Sequence, residues 1–351
     1  MSMKKQMLVI MSVCIVIVTS FFGCVQQKRE VPMTTPTKLE AIEEKVNALL
    51  NKYEEPNKKG NYTPEIRGIN YFHEPLGALR KNKTEIRFDF AMMRAIGANA
   101  VRLWGYDSSV FKYVDLAHKE GLQVWLTYQP FFAFPDMSFE EYKKGLAKFA
   151  REAEKHNVQV LFVGNELEIW GGESFKESIK NRGMSEIVDE LAKIARENYN
   201  GKITYATYKW WNVTEINWEN LDIISVNAYI DGASEKDYFL ALENIKKLGK
   251  SVAVSEVGSL TITNAEKAGG DYTYVMKHEV EVNETKQAEL IDKQLKLIYK
   301  AEIPYVFVFC WDEPAHSEEY DKNKYGFGIW NHIKKQPKKS FFIVWSYYKE
   351  G

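Results

Sequence analysis

Apolar and polar positions follow two periods along this chain, one of strands and one of helices. From about residue 64, short apolar runs of strand character recur: EIRGINYF (65–72), ANAVRLWGY (98–106), LQVWLTYQ (122–129) and VQVLFVGNE (158–166). They continue as KITYATYKW (202–210), DIISVNAY (222–229), SVAVSEVG (251–258) and YVFVFCW (305–311). Most segments between them carry helical spacing. TEIRFDFAMMRAIG ends at Gly97, and DSSVFKYVDLAHKEG has Asp107 to cap its start and Gly121 its end. SFEEYKKGLAKFAREAEK opens on Ser138 with Glu141 three residues on, a capping-box spacing. The connector between the fifth and sixth runs is short and less helical. Eight strand runs with mostly helical connectors predict an α/β fold, a (β/α)8 TIM barrel, over residues 64–351. A doubly wound open sheet is the competing architecture. It would normally place a Gly-rich ligand turn after its first strand, and GINYFHEP is not one.

Upstream, Leu39, Ile42, Val46, Leu49 and Tyr53 recur at helical spacing and predict a helix within residues 39–63, packed on the outside or base of the domain. Residues 24–38 are polar with two prolines and read as a tether. Residues 1–23 have a basic start at Met1 to Lys5 and an uncharged apolar run from Met7 to Phe22. That run is about 16 residues, short of the roughly 20 that a spanning helix needs, so it reads as a secretory signal. Phe-Phe-Gly-Cys resembles the lipobox of prokaryotic lipoproteins, although Phe stands where that pattern prefers Leu and a small residue. The resemblance implies lipidation of Cys24 and anchoring on the outer face of the cell membrane; an uncleaved anchor and plain secretion are the alternatives.

Composition narrows the picture further. In 351 residues, 45% are hydrophobic and 14% aromatic, which is ample for a large core. The 47 basic and 48 acidic residues leave a net charge of −1, so nothing in the overall charge recruits nucleic acid. The 27% of charged residues suits surface ion pairs and an ordinary solvated surface equally well. Of the three Cys, Cys14 lies in the signal and Cys24 at its end, leaving Cys310 as a small core residue with no intrachain disulfide. The six His show no metal-ligand spacing and no phosphate loop is present, so neither metal nor cofactor is expected.

In a barrel, chemistry lies at the C-terminal ends of the strands. Those ends offer Asn70, Tyr71 and His73, then Arg102, Trp104 and Tyr106, then Tyr128 and Gln129, then Asn165 and Glu166. They continue with Lys209, Trp210 and Trp211, with Asn227 and Tyr229, with Glu256, and with Trp311, Asp312 and Glu313. Aromatic faces stack on the C–H faces of sugar rings, while amides and carboxylates hydrogen-bond hydroxyls. Two carboxylates flanking a glycosidic bond are what its hydrolysis needs, and Glu166 and Glu256 lie three strands apart around the barrel.

These motifs together resemble a clan A retaining glycoside hydrolase over about residues 65–345. In that clan the acid/base Glu follows an Asn at the end of the fourth strand, and the nucleophile Glu ends the seventh. Here Asn165-Glu166 and Ser255-Glu256-Val257-Gly258 stand at those places, and YGFGIW (325–330) resembles the closing segment. VRLWGYD, VGNEL and VSEVG are similar to families 17, 72 and 2 and to family 5 mannanases. The clan often carries a His near the fourth or sixth strand, where this chain has Asn227. The resemblance implies a retaining β-glycosidase acting on a β-linked mannan or glucan, with Glu166 as acid/base and Glu256 as nucleophile. Arg102 and Tyr229 would hold Glu256, Asn165 the sugar 2-hydroxyl, and Asn70, Trp104, Trp210 and Trp311 would line the substrate site, with Trp311 foremost.

Other readings stay open at this point. Arg102 also reads as a structural ion-pair partner, Tyr229 as a residue closing the barrel top, and Glu168 as either a substrate neighbour or a solvated acid. Residues 260–285 and 312–328 are long for barrel loops and suit the shaping of a cleft. A transglycosylase would use the same two glutamates, and a non-catalytic sugar-binding lipoprotein would need neither.

Overall fold

The structure is a computed structural model that describes residues 40–72, 81–230, 232–312, 325–332 and 334–349. The expected signal segment, Cys24, the expected tether, His73, Glu313 and most of the 312–328 loop lie outside the described residues. Eight parallel strands close into a barrel in sequence order: β1 Ile66–Tyr71, β2 Ala100–Gly105, β3 Gln123–Tyr128 and β4 Val160–Asn165, followed by β5 Lys202–Thr207, β6 Ile223–Asn227, β7 Ser251–Val257 and β8 Tyr305–Val308. Closure comes from β8 pairing with β1, Ile66 opposite Tyr305 and Ile69 opposite Val308. Each strand-like run in the sequence is therefore a barrel strand.

The helical spacings are realised with their caps. Ser138 and Glu141 form the expected capping box at the start of helix Phe139–Lys155, and Asp107 accepts from the Ser109 N–H at 2.8 Å. Helix Lys83–Ala95 carries a second capping box, Asn82 with Glu85. The fifth connector holds only the 3-10 turn Val213–Glu215. Helix Glu40–Leu50 buries Ile42 and Val46 and packs against helix Lys83–Ala95. Among the described residues no helix is long and apolar enough to cross a membrane.

Strand alternation divides the core into two. Outward residues meet the helices, while Ile66, Ala100, Trp125, Val160, Phe162, Ala206, Ile223, Ala253, Tyr305 and Phe307 fill the inside. Trp125 is the centre of this plug, its ring centroid 4.8 Å from that of Phe307 and 5.3 Å from that of Tyr305. A solid apolar floor closes the barrel interior, so no channel runs through it among the described residues.

Candidate active site

Strict alternation cannot deliver the two glutamates together with their neighbours. With Phe162 and Ala253 pointing inward, a period of two would turn Asn165 and Glu256 outward. Both strands carry an extra residue at this point. Phe162 to Asn165 on β4 spans the same length as Thr204 to Ala206 on β5. Val254 to Val257 on β7 matches Val306 to Val308 on β8. Each irregularity resets the phase, so Asn165 and Glu256 face the interior. Glu166 follows in the left-handed region at φ 47° and ψ 48°, which keeps its side chain on the same side as Asn165. For a residue with a Cβ that conformation costs about 1–2 kcal/mol.

Above the apolar plug lies a polar layer centred on Arg102, which is fully buried. Its guanidinium carbon lies 4.2 Å from the ring centroids of both Phe162 and Trp104. Every edge of the fork is used. Nε donates to Thr127 Oγ1 at 2.9 Å, Nη1 to Glu256 Oε1 at 3.0 Å, and Nη2 to Asn165 Oδ1 at 2.9 Å. Tyr229 donates its hydroxyl to the other Glu256 oxygen at 2.7 Å. Burial raises the pKa of Glu256, and the Arg102 charge and the Tyr229 hydroxyl oppose that rise. Tyr229 itself stays a neutral phenol, because burial and the Glu256 charge push its pKa well up.

Glu166 has a different shell. Asn227 donates to its Oε1 at 2.6 Å and the Trp170 indole to its Oε2 at 3.1 Å. No hydrogen bond or ion pair joins it to a cation among the described residues. Burial first, and then the Glu256 charge, push its pKa up to about 7. Asn227, which stands near where the clan often carries a His, ties Glu166 to Asn165 and to Ser255 beside Glu256. It donates to Asn165 Oδ1 at 3.0 Å as well as to Glu166, and accepts from Ser255 Oγ at 2.9 Å. Two donors on Asn165 Oδ1 fix that amide, so its NH2 group points away from them. Asn70 braces the frame by donating to the Ser255 carbonyl at 3.0 Å.

Two ring assignments need correction. Trp311 is enclosed on all sides and stacks on Trp330 at 5.5 Å, so it offers no face to a sugar. The β8 ring that continues the inward phase after Phe307 is Phe309, set among Phe72, Tyr229 and Phe327. Trp210 is buried against Tyr238 at 5.1 Å, whereas its neighbour Trp211 is exposed. Asp312 also turns away, toward Lys81. Trp104 remains at the mouth, stacked on Phe72 at 5.6 Å. Glu168 accepts from Tyr205 at 2.7 Å, which ties it to the wall of the barrel.

Sequence reasoning left Trp170, Phe309 and the bridging role of Asn227 out of the site. The i+4 offset of Trp170 from Glu166 and the inward phase of Phe309 were both present in the sequence. The loop after β7 reaches back as far as Tyr229: a Cβ on Gly270 would lie 2.8 Å from that ring, so only glycine fits there. Among the described residues no group of His, Cys, Asp and Glu is placed to hold a metal ion.

A closed (β/α)8 barrel with a buried Glu256 and a half-buried Glu166, aromatic walls and neutral amides at its mouth has the parts a glycoside hydrolase needs. The chain belongs to Glycoside Hydrolase Family 113, whose model matches residues 104–332, and it is thereby a retaining β-glycoside hydrolase of clan A. The clan-level resemblance holds; the family is none of the four brought forward from the sequence.

Solved structures show the same fold at low identity. A complex of a GH113 β-1,4-mannanase is 18% identical with a TM-score of 0.62, over 82% of this chain and 99% of that one. A GH113 β-mannanase from Alicyclobacillus acidocaldarius, in complex with ManMIm, is 18% identical with a TM-score of 0.56, over 81% of this chain and 97% of that one. A GH2 β-galacturonidase from Eisenbergiella tayi is 15% identical with a TM-score of 0.59, over 85% of this chain and 54% of that one. No curated protein matches the chain.

Proposed function

We propose that the chain hydrolyses a β-linked mannan-type glycan by double displacement, with Glu256 as nucleophile and Glu166 as acid/base. The observation that carries this reading is the unequal shell of the two acids. Arg102 and Tyr229 stabilise a charge on Glu256, whereas Glu166 meets only neutral donors. When one of the pair is ionised it is therefore Glu256. Glu256 attacks the anomeric carbon as Glu166 gives its proton to the leaving oxygen. Once Glu256 is esterified, its charge no longer raises Glu166, which then ionises and takes a proton from the attacking water. The Asn165 NH2 group would hold the sugar 2-hydroxyl, a contact that strengthens in the transition state. Mannan is preferred as substrate because the family's solved members named above are β-mannanases.

Incubation with a 2-deoxy-2-fluoro mannosyl fluoride should trap the ester, and peptide mapping by mass spectrometry should find the label on Glu256. A label on any other residue would sink the assignment. A reducing-sugar assay on mannan and on β-glucan decides the sugar, and faster release from glucan would overturn the mannan reading. Export and lipidation at Cys24 are supported by the basic start, the apolar run and the Gly-Cys junction. Radiolabelled palmitate should enter the parent protein and be absent from Cys24→Ser; equal labelling would refute the anchor.

A further inference from the structure

Trp170 belongs to the short turn that leaves β4, one helical turn beyond Glu166, with its N–H on the Glu166 carbonyl at 3.0 Å. The indole folds back on the same residue, and its Nε1 donates to Glu166 Oε2 at 3.1 Å. An indole N–H only donates, so this bond is strongest when Glu166 is an anion and weakest when Oε2 carries a proton. The ring is 44% exposed and meets Phe132 edge to face at 5.4 Å. Beside it, Phe134 is 52% exposed and Tyr106 is 38% exposed, and the two rings meet edge to face at 5.7 Å. These rings come from the loops after β2, β3 and β4, on the part of the rim that carries Glu166 and away from Glu256 on β7. A leaving sugar must depart past the proton donor, and exposed rings on that side are what it would stack on.

We propose that Trp170 is a positioning residue for the acid/base glutamate and, in the same ring, the platform for the leaving-group sugar. The inference rests on the reading of Glu166 as acid/base. In the first step the proton on Glu166 Oε2 passes to the glycosidic oxygen, which keeps the electron pair of the broken C1–O bond. C1 bonds to Glu256, and Trp170 keeps its own proton while its N–H takes up the charge that develops on Oε2. The indole bond also opposes the rise in the Glu166 pKa that burial and Glu256 cause. The other charged or titratable groups facing Glu166 are Arg102 and Glu256 across the barrel, Glu168 on its own turn, Tyr205 and Tyr208 from β5, and Tyr229 beyond β6.

Two variants separate the two roles. Trp170→Phe keeps a ring and removes the N–H, and Trp170→Leu removes both. In Trp170→Phe the upper limb of the kcat/KM pH profile should move up by about half a pH unit. Its kcat/KM should fall about tenfold on mannohexaose and less than about threefold on 4-nitrophenyl β-mannobioside, whose leaving group needs little proton donation. Trp170→Leu should add a severalfold rise in KM for mannohexaose. An unmoved upper limb, with both substrates depressed equally, would overturn the proposal. Glu166→Ala with azide tests the underlying reading by itself: formation of a β-glycosyl azide upholds it, and its absence removes that reading whatever Trp170 does.

Discussion

Arg102 and Lys81 are both buried cations near the C-terminal end of the barrel, and each is paired with carboxylate. Lys81 sits behind the wall, where Asp89 at 2.6 Å and Asp312 share one ammonium and Tyr71 donates to Asp89 at 2.8 Å. Asp312 is fully enclosed. Burial works against the Lys81 charge, but the two carboxylates outweigh it and push its pKa up. Arg102 faces one carboxylate and otherwise neutral groups, Asn165 and Thr127. A planar fork can divide its donors among three partners in fixed directions, whereas an ammonium is a point charge without a plane. The difference separates holding a wall together from orienting the proposed nucleophile. A second charge beside Arg102 would bind its fork, and a neutral fork would leave Glu256 without a counter-charge.

The largest expected effect tests the reactive side of that comparison. Glu256→Gln should lower kcat by about 10⁴-fold or more while oligosaccharide binding by calorimetry persists. Turnover near the parent level would remove Glu256 from the chemistry. Next come the two cations' partnerships. Arg102→Met and Asp312→Asn each break a buried pair and should each cost about 3–5 kcal/mol in denaturant unfolding. Only Arg102→Met should also lower kcat, by about 10²–10³-fold. An Asp312→Asn enzyme with an equally depressed kcat would show that the Lys81 cluster is not merely structural.

The smallest effect concerns stability and pH. Glu166 has a pKa of about 7 against 4.5 for an unperturbed glutamate. A raised carboxylate means that the folded chain holds a proton that the unfolded chain has released. Its contribution to stability is therefore full below about pH 4.5 and is lost as pH rises through about 7. Glu166→Gln should consequently melt higher than the parent, by little at pH 4 and by about 1–3 kcal/mol at pH 8. A gain that does not depend on pH would contradict the burial of this acid. The same titration predicts that kcat/KM of the parent falls above about pH 7.

Several features of the site were legible in residue order and others were not. The strand runs identified all eight strands because apolar alternation is a local signal. Asn165, Glu166 and Glu256 were singled out by their place at strand ends, and Arg102 and Tyr229 by the same ordinal reading, and the barrel brings these five side chains together. Trp311 and Trp210 misled because a tryptophan at a strand end has the same letter whether its ring turns inward or out. The bend after Phe309 sends Trp311 to Trp330, and the turn after β5 sends Trp210 to Tyr238. Asn227 was read as a departure from a pattern, and its role became visible only once β4 and β7 had been brought to it on β6.

By itself the sequence determined the barrel, its strand order and the residues carried to its mouth, since hydrophobic period, caps and turn residues act over a few positions. Tertiary structure decided which way those residues point. The extra residues on β4 and β7 reset the alternation by one, and they are defined only against the neighbouring strands. It also decided which acid has a cationic partner, because that depends on whether Arg102 or only amides and an indole lie within hydrogen-bonding distance. Both are relations between distant parts of the chain, and local periodicity does not encode them.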